Sequence, residues 1–348
     1  MKNVFGWSAG EIANELAEWK LPPYRGKQIA EWMYRKGVLS FKDMTNLPKD
    51  LRERLAGHYG IFRAACLDRQ DSSDGKTSKF LLGFVDGTAV ETVLMRQPYG
   101  NSICVSTQAG CNMGCAFCAS TLHGMERNLT AGEILAQAID IEEVLREEAP
   151  GQKVDTMVIM GSGEPLMNYD NVLSFLRLCH EDYVMGMGYR NITLSTSGIV
   201  PNIYRLMEED LPVTLSISLH APNDALRSRL MPVNRKYPLA GLIEAGKAYG
   251  DRTKRRVTYE YILIDRLNDG EAQARELVKL LRGQLCSVNL IPINPVKERN
   301  LLRPGRMRID WFEGYLRQHG LTVTVRREMG KDIQAACGQL RNKHLQEQ

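Results

Sequence analysis

The chain has 348 residues and a formal net charge of +4, with 45 lysines and arginines against 41 aspartates and glutamates. This length accommodates one large α/β core and a small accessory domain, and so small a charge excludes a strong overall field. The longest apolar stretches are strand-sized, which excludes a membrane-spanning helix. Because the segment from Met1 to Trp19 carries three glutamates and no apolar signal core, we expect a cytoplasmic protein.

The first two parts of the chain differ in periodicity. Residues 1–58 have the apolar spacing of short helices, interrupted by two proline-containing breaks. Residues 59–96 change to short β-like runs, Phe80–Phe84 and Ala89–Met95, with a hairpin-like Asp86-Gly87 between them. The pattern predicts a small N-terminal helical domain over 1–58 and a β linker over 59–96.

Strand and helix signals alternate from residue 97 onward, which is typical of a parallel α/β fold. The six candidate strands are Ser102–Thr107, Asp155–Met160, Asn191–Thr196, Val213–Leu219, Val257–Ile264 and Ser287–Pro292. Thr130 and Glu133 form a capping box before the first helix. We therefore predict an incomplete (β/α)6 barrel over residues 97–330. A seventh strand, Leu321–Arg326, precedes a C-terminal tail over 331–348.

Three of the eight cysteines form one short loop with the spacing Cys111-x3-Cys115-x2-Cys118. Structural zinc usually has four protein ligands, whereas three thiolates on a [4Fe–4S] cluster leave one iron open for a small molecule. The spacing favours the cluster, and a zinc site completed by His123 is the alternative. In a long chain without an evident export signal we expect no disulfide framework. Three scattered cysteines are expected to be buried small hydrophobic residues: Cys66, Cys179 and Cys286.

Motifs along nearly the whole chain accompany the cysteine loop. They are Tyr24–Ile29, Met44–Pro48, Val90–Val93, Cys104–Ser106, Arg127–Thr130, Gly163–Leu166, Leu194–Gly198, Ser218–Pro222, Asn289–Pro292 with Asn294-Pro295, and Ala335–Leu340. Together they resemble the RlmN-type dual-specificity RNA methyltransferases, which are radical S-adenosylmethionine (SAM) enzymes. The resemblance implies a radical SAM barrel that methylates adenine C2 in 23S ribosomal RNA and in certain transfer RNAs. Ser162, two residues before Glu164, departs from the methionine that family members often carry.

The sister family of the Cfr type, which methylates adenine C8, shares the cysteines and the tail. The run from Gly163 to Tyr169 and the helical N-terminal stretch resemble the C2 enzymes more closely. Two further alternatives stay open: a zinc-stabilised RNA-binding protein, and a radical SAM enzyme that acts on small molecules.

The residues that close each strand are the expected SAM contacts, because ligands bind at the carboxyl ends of strands in this topology. Gly163 and Glu164 follow the second strand, where a glycine turn leaves carbonyls to accept from the SAM ammonium group and the carboxylate adds charge. Taken alone, Ser195 and His220 would be ordinary structural residues. By resemblance the SAM-binding set is Gly163, Glu164, Ser195, Ser218, Leu219, His220 and Asn294.

The resemblance also implies a chemistry that uses two SAM molecules per turnover. Cys337 takes a methyl group from the first, and the second is cleaved at the cluster to a radical that removes hydrogen from that methyl. The methylene radical then adds to adenine, and Cys104 releases the product by attacking the Cys337 sulfur. Glu91 aligns with the family's proton acceptor. Without the family, Glu91 would be expected to face solvent and Cys337 to be packed as a small hydrophobic residue.

Local basic clusters are the candidate RNA contacts. One is the segment Lys297 to Arg308, and the other comprises Arg252, Lys254, Arg255 and Arg256. The N-terminal domain could add shape recognition of folded RNA. The implied partners are 23S ribosomal RNA, transfer RNA and an electron donor such as flavodoxin, and we expect a monomer.

Overall fold

One ten-stranded sheet organises the protein, in a computed structural model that describes residues 1–294, 299–326, 330, 332 and 333. Its strands are β3 (Ala65–Asp71), β4 (Thr77–Gly83), β5 (Ala89–Gln97), β6 (Gly100–Cys104), β9 (Thr156–Ile159), β10 (Ile192–Thr196), β11 (Thr214–Ser218), β12 (Val257–Leu263), β13 (Cys286–Pro292) and β14 (Val323–Val325). Two small two-stranded sheets add β1 (Lys2–Asn3) with β2 (Tyr59–Gly60), and β7 (Gln108–Gly110) with β8 (Met125–Asn128).

The seven strands β6 and β9 to β14 run parallel in chain order, which confirms the predicted barrel strands and their sequence. The first strand is shorter at its carboxyl end than the predicted Ser102–Thr107. Beyond Cys104 the backbone turns toward the loop after β9, where the Thr107 N–H donates to the Ser162 carbonyl at 2.9 Å. This turn begins the segment that carries the cysteines.

The predicted β linker continues the barrel sheet. Strands β3, β4 and β5 are antiparallel to one another, and β5 pairs antiparallel with β6. Every residue of β4 is buried, whereas most of β3 is exposed because β3 is the edge strand. The exposed edge explains why the prediction of a buried Cys66 is wrong, while Cys179 and Cys286 are buried as predicted.

The ten α-helices of the described residues are α1 (Ala9–Ala17), α2 (Tyr24–Ala30), α3 (Lys49–His58), α4 (Ala131–Glu148), α5 (Tyr169–His180), α6 (Val200–Met207), α7 (Asp224–Leu230), α8 (Leu239–Thr253), α9 (Glu271–Leu281) and α10 (Arg306–Gln318). Thr130 and Glu133 cap α4 reciprocally, as predicted. Helices α1 to α3 form the N-terminal unit together with the β1–β2 pair, which was not predicted from the sequence. Within the described residues, no helix combines the length and apolarity needed to cross a membrane.

Residues on the parallel strands alternate between two faces of the sheet. In β10, for example, Ile192 and Leu194 are fully buried, and the intervening Thr193 and Ser195 are partly accessible. The apolar face packs with the helices into the main core. The polar face is left for ligands, because side chains two residues apart on a strand point the same way.

Candidate active site

The polar face of the sheet brings several predicted site residues into register. Cys104 pairs with Val158, Ser195 pairs with Ser216, and Ser218 pairs with a buried carboxylate, Glu260. Paired residues of neighbouring strands share a face. Cys104, Ser195 and Ser218 therefore line one surface, near the carboxyl ends of the first, third and fourth barrel strands.

The cysteine loop is held at this edge by the β7–β8 hairpin. Gly110 ends β7 with φ +77°, and a Cβ there would lie 1.9 Å from the Gly124 carbonyl oxygen, so only glycine allows this approach. The Cys111 N–H donates to the same carbonyl at 3.1 Å. Farther along the loop, the Ala116 N–H donates to the Leu230 carbonyl at 2.9 Å and ties the loop to the end of α7.

Two of the three cysteines, Cys111 and Cys115, are buried, and Cys118 is partly exposed. Cys111 and Cys115 are each 7% exposed, and burial raises the pKa of both thiols, to about 11 for Cys111. The backbone N–H groups of Met113 and Gly163 act in the opposite direction on Cys111. Three sulfur atoms close enough to influence one another, in a largely apolar pocket, fit a group that binds thiolates and releases their protons.

A single metal ion fits this loop less well than a cluster does. His123, the predicted fourth ligand of a zinc site, is exposed. Among the residues that the structure describes, no three Cys, His, Asp or Glu side chains are grouped as ligands of one ion. A [4Fe–4S] cluster has a different requirement, because each thiolate binds a separate iron atom.

Glu164 lies beside this loop and is held by the protein itself. Its Oε1 accepts from the Thr196 hydroxyl at 2.7 Å and from the Leu166 N–H at 3.0 Å, and its Oε2 accepts from the Ser197 N–H at 2.6 Å. Burial raises the pKa of this carboxyl, and the donors act against that rise. Glu164 thereby fixes the end of β10 against the loop after β9.

The turn that precedes Glu164 depends on Gly163. This glycine has φ +109°, and a Cβ there would lie 2.7 Å from the Gln108 side chain. The Gln108 Oε1 atom accepts from the Glu164 N–H at 2.8 Å. The predicted glycine turn is thus present and is packed directly on β7.

His220 follows β11 with a left-handed backbone, φ +58°, and is 5% exposed. Its Nδ1 accepts from the Ile262 N–H at 3.0 Å, so the proton of the neutral ring is on Nε2. Burial lowers the pKa of His220 to about 3, and the charge of Arg227 adds to this effect. The ring meets that of Phe117 edge-on, with centroids 4.7 Å apart, so His220 also supports the cysteine loop.

Leu219 and Asn294 complete the predicted SAM set. Leu219 is fully buried, and its N–H donates to the Glu260 carbonyl at 3.0 Å. Asn294 lies two residues beyond the end of β13 and is partly exposed, with its Oδ1 3.5 Å from an Arg303 nitrogen.

Glu91 does not face solvent, contrary to what its sequence context alone suggests. It is 6% exposed on β5, and its Oε2 lies 3.8 Å from the Lys79 Nζ on β4. Val93 pairs with Cys104, and Glu91 is two residues from Val93, so Glu91 and Cys104 share a face. Cys337, the third predicted catalytic residue, lies outside the described residues.

The two predicted basic clusters are at opposite ends of the barrel. Arg252, Lys254, Arg255 and Arg256 precede the start of β12, and Arg255 donates to Thr214 at the start of β11 at 2.8 Å. That cluster lies at the amino ends of the strands, away from the cysteine loop. The other segment follows the carboxyl end of β13, although Lys297 is outside the described residues.

Two buried charged residues of this site, Glu260 and Arg227, were not predicted from the sequence. Glu260 accepts from the Ser216 hydroxyl and from the Asn289 amide, each at 2.8 Å, on the polar face of the sheet. The alternating pattern of β12 could have placed it there. Arg227, on α7, had no comparable signal, because its partners are brought together only by the fold.

Comparison with known proteins agrees with this geometry. The chain matches the Radical SAM superfamily over residues 105–278 and the ribosomal RNA large subunit methyltransferase N-terminal domain over residues 2–61. It is 52% identical over 339 residues to a probable dual-specificity RNA methyltransferase RlmN of Symbiobacterium thermophilum, covering 97% of this chain and 91% of that protein. A similarly described protein of Bacillus cytotoxicus is 50% identical, with 99% and 95% covered. A solved radical SAM methyltransferase from Sphaerobacter thermophilus superposes with a TM-score of 0.91 at 46% identity, covering 97% of this chain and 99% of that one.

Proposed function

The chain belongs to the RlmN family of radical SAM RNA methyltransferases, and on that premise we propose that it methylates C2 of a specific adenine in 23S ribosomal RNA and of adenine in certain transfer RNAs. The observation that carries the proposal is the placement of the three-cysteine loop, with Cys111 and Cys115 buried, beside a polar sheet face that holds Cys104 and Glu91. That combination places a cluster site and two reactive side chains on one side of the sheet.

Cys111, Cys115 and Cys118 hold the cluster in this proposal, and the ends of β9, β10, β11 and β13 hold SAM. The cluster supplies the electron that cleaves SAM reductively. Ser195 and Ser218 offer hydroxyl groups from the polar face, and the turn at Gly163 exposes backbone beside Cys111. The low pKa of His220 keeps its ring neutral, so it presents the Nε2–H as a donor.

Methylation at C2 requires the protein to carry carbon to an electron-poor position. Cys337 carries the methyl group from one of two SAM molecules, and Cys104 later attacks the Cys337 sulfur so that the base is released with a transient disulfide. After the methylene radical adds to the ring, the adduct must lose one electron and one proton before release, and Glu91 accepts the proton. Its position on the same sheet face as Cys104 supports this division of roles. A flavodoxin-type protein is the proposed electron source, and the enzyme acts as a monomer.

The nucleoside product tests the proposal directly. Reconstituted enzyme is incubated anaerobically with SAM, reductant and 23S ribosomal RNA or transfer RNA, and the digested RNA is analysed by mass spectrometry. We expect 2-methyladenosine from the wild-type protein and none from the Cys118→Ala variant. If 8-methyladenosine dominates, the activity is that of the Cfr type, and RNA without any methylated adenine contradicts both.

A further inference from the structure

A buried arginine, Arg227, lies behind the cysteine loop and is not used in the function proposed above. It is fully buried on α7, and its guanidinium group donates to three backbone carbonyls and one amide oxygen rather than to a carboxylate. Asp224, one turn earlier, acts on it only through space, since the Asp224 Oδ1 accepts from Asn234 and from the Leu239 N–H. A buried charge needs compensation, because leaving water without a partner is costly.

The hydrogen bonds of Arg227 connect two strand ends. Its Nη2 donates to the Ser197 carbonyl at 2.7 Å and to the Ser218 carbonyl at 2.9 Å, and its Nε donates to the Leu219 carbonyl at 3.1 Å. Nη1 donates to the Asn234 side chain at 2.9 Å. The planar, five-donor guanidinium group suits this task, and a lysine could not reproduce it.

The same helix forms the back wall of the cysteine loop. Leu226 and Leu230, on either side of Arg227 in α7, belong to the small hydrophobic cluster that contains Cys115. Burial raises the pKa of the Cys115 thiol, and the positive charge of Arg227 acts against that rise. Glu164 has the opposite effect on the same sulfur. Arg227 is thus a buried positive group on the helix that packs against Cys115.

We propose that Arg227 is a positioning residue of the cluster site, which braces the ends of β10 and β11 and compensates the negative charge of the iron-bound thiolates. This inference rests on the cysteine assignment made above. Iron binds cysteine as the thiolate, so a bound cluster adds negative charge at the loop against which α7 packs. Cluster binding and the buried cation should therefore stabilise each other.

Iron retention tests the proposal without reference to activity. Wild-type, Arg227→Met and Arg227→Lys proteins are reconstituted anaerobically, and the rate of iron loss to a chelator is followed by absorbance. We expect loss from Arg227→Met to be roughly tenfold faster or more, and loss from Arg227→Lys to stay much closer to wild type because the charge is kept. Arg63→Met is the matched control, since Arg63 is also largely buried but pairs with Glu143 at 2.6 Å on α4. It should lose iron at nearly the wild-type rate.

Comparing loaded with cluster-free protein separates charge compensation from simple packing. The Arg227→Met substitution should lower the melting temperature more in the loaded protein than in the cluster-free one. An equal decrease in both forms, or wild-type iron retention, overturns the proposal. If Arg227→Met does not fold, the same comparison is made between Arg227→Lys, which keeps the positive charge, and Arg227→Gln, which removes it. Equal rates of iron loss from these two variants would contradict the proposal. Wild-type protein that binds no iron would instead contradict the cysteine assignment.

Discussion

The Lys79 ammonium group lies 3.8 Å from the Glu91 carboxylate between two strands of the sheet, and the two side chains are only 1% and 6% exposed. Lys79 pairs with Val93 on one side, Val93 pairs with Cys104 on the other, and Glu91 is two residues from Val93. Lys79 and Glu91 therefore lie on the face of the sheet that also holds Cys104. A proposed proton acceptor is therefore held next to a buried cation.

Removing the cation should destabilise the protein strongly. Lys79→Met removes one charge of a buried ion pair, and we expect the free energy of unfolding to fall by about 3–5 kcal/mol. The double variant Lys79→Met/Glu91→Leu should recover much of that loss, because it removes both charges of the pair. Urea unfolding of the single and double variants measures the coupling. Strictly additive losses would show that the two groups do not interact.

Substituting one loop cysteine should abolish the cluster. We expect Cys115→Ala to yield colourless protein without stoichiometric iron and sulfide, because the remaining two thiolates cannot hold the cluster. Cys179→Ala is the matched control, as Cys179 is fully buried on α5 away from the loop. Iron, sulfide and zinc analysis of both proteins provides the measurement. Full activity with stoichiometric zinc and no iron would contradict the prediction.

The Glu164→Gln substitution can distinguish two roles of this carboxylate, which are direct contact with SAM and support of the strand ends. In Glu164→Gln an amide NH2 would face either the Ser197 N–H or the other two donors, and such a mismatch costs about 1–3 kcal/mol. We expect SAM affinity and melting temperature to fall together. Glu209→Gln, at a surface ion pair with Arg177, is the control for carboxylate loss. Weaker SAM binding at unchanged stability would instead identify Glu164 as a direct ligand.

The pH dependence of stability should contain a contribution from Asp140. Arg63 donates twice to Glu143, and its Nε, 3.3 Å from the Asp140 Oδ1, is not aligned for a hydrogen bond. Burial therefore dominates and raises the pKa of Asp140 to about 7, with Arg63 opposing and Glu143 reinforcing this rise. The folded protein binds a proton that the unfolded chain releases near pH 4, so this contribution is lost as the pH rises through about 7.

Asp140→Asn should remove that dependence. We expect the variant to gain stability relative to wild type as the pH rises from about 4 to about 7, and the difference to be constant above that range. Melting temperatures at closely spaced pH values give the curve. Asp170→Asn, whose side chain is 84% exposed, serves as the control and should not show the same trend. A variant that instead loses stability relative to wild type over this pH range would contradict the assignment.

The parallel strands were predictable because their apolar and polar residues alternate, as in Ile192–Thr196, and because glycine and helix-cap signals separate them. The cysteine loop was predictable from spacing alone. The burial of Glu91 was not, since it depends on β4 and β5 continuing the barrel sheet. The role of Arg227 depends on carbonyls eight to thirty residues away along the chain. Such long-range contacts leave no local pattern.

Replacing the proposed reactive cysteines, Cys104 and Cys337, by alanine should stop the reaction at different steps. Cys337→Ala cannot carry the methylene group, so no covalent protein–RNA species should form. Cys104→Ala should still add the methylene carbon to adenine, but without a thiolate to attack the Cys337 sulfur the adduct should persist.

Denaturing electrophoresis and mass spectrometry of both variants, expressed with their RNA, measure this difference. Cys104 is buried at the end of β6, so its substitution could act through packing alone. In that case the variant would be modestly less stable and would accumulate no adduct. Cys286→Ala, another buried strand cysteine, controls for that packing loss. A folded, cluster-loaded Cys104→Ala protein without RNase-sensitive conjugates would therefore remove Cys104 from the release step, because packing loss cannot account for a missing adduct when the cluster and fold are intact.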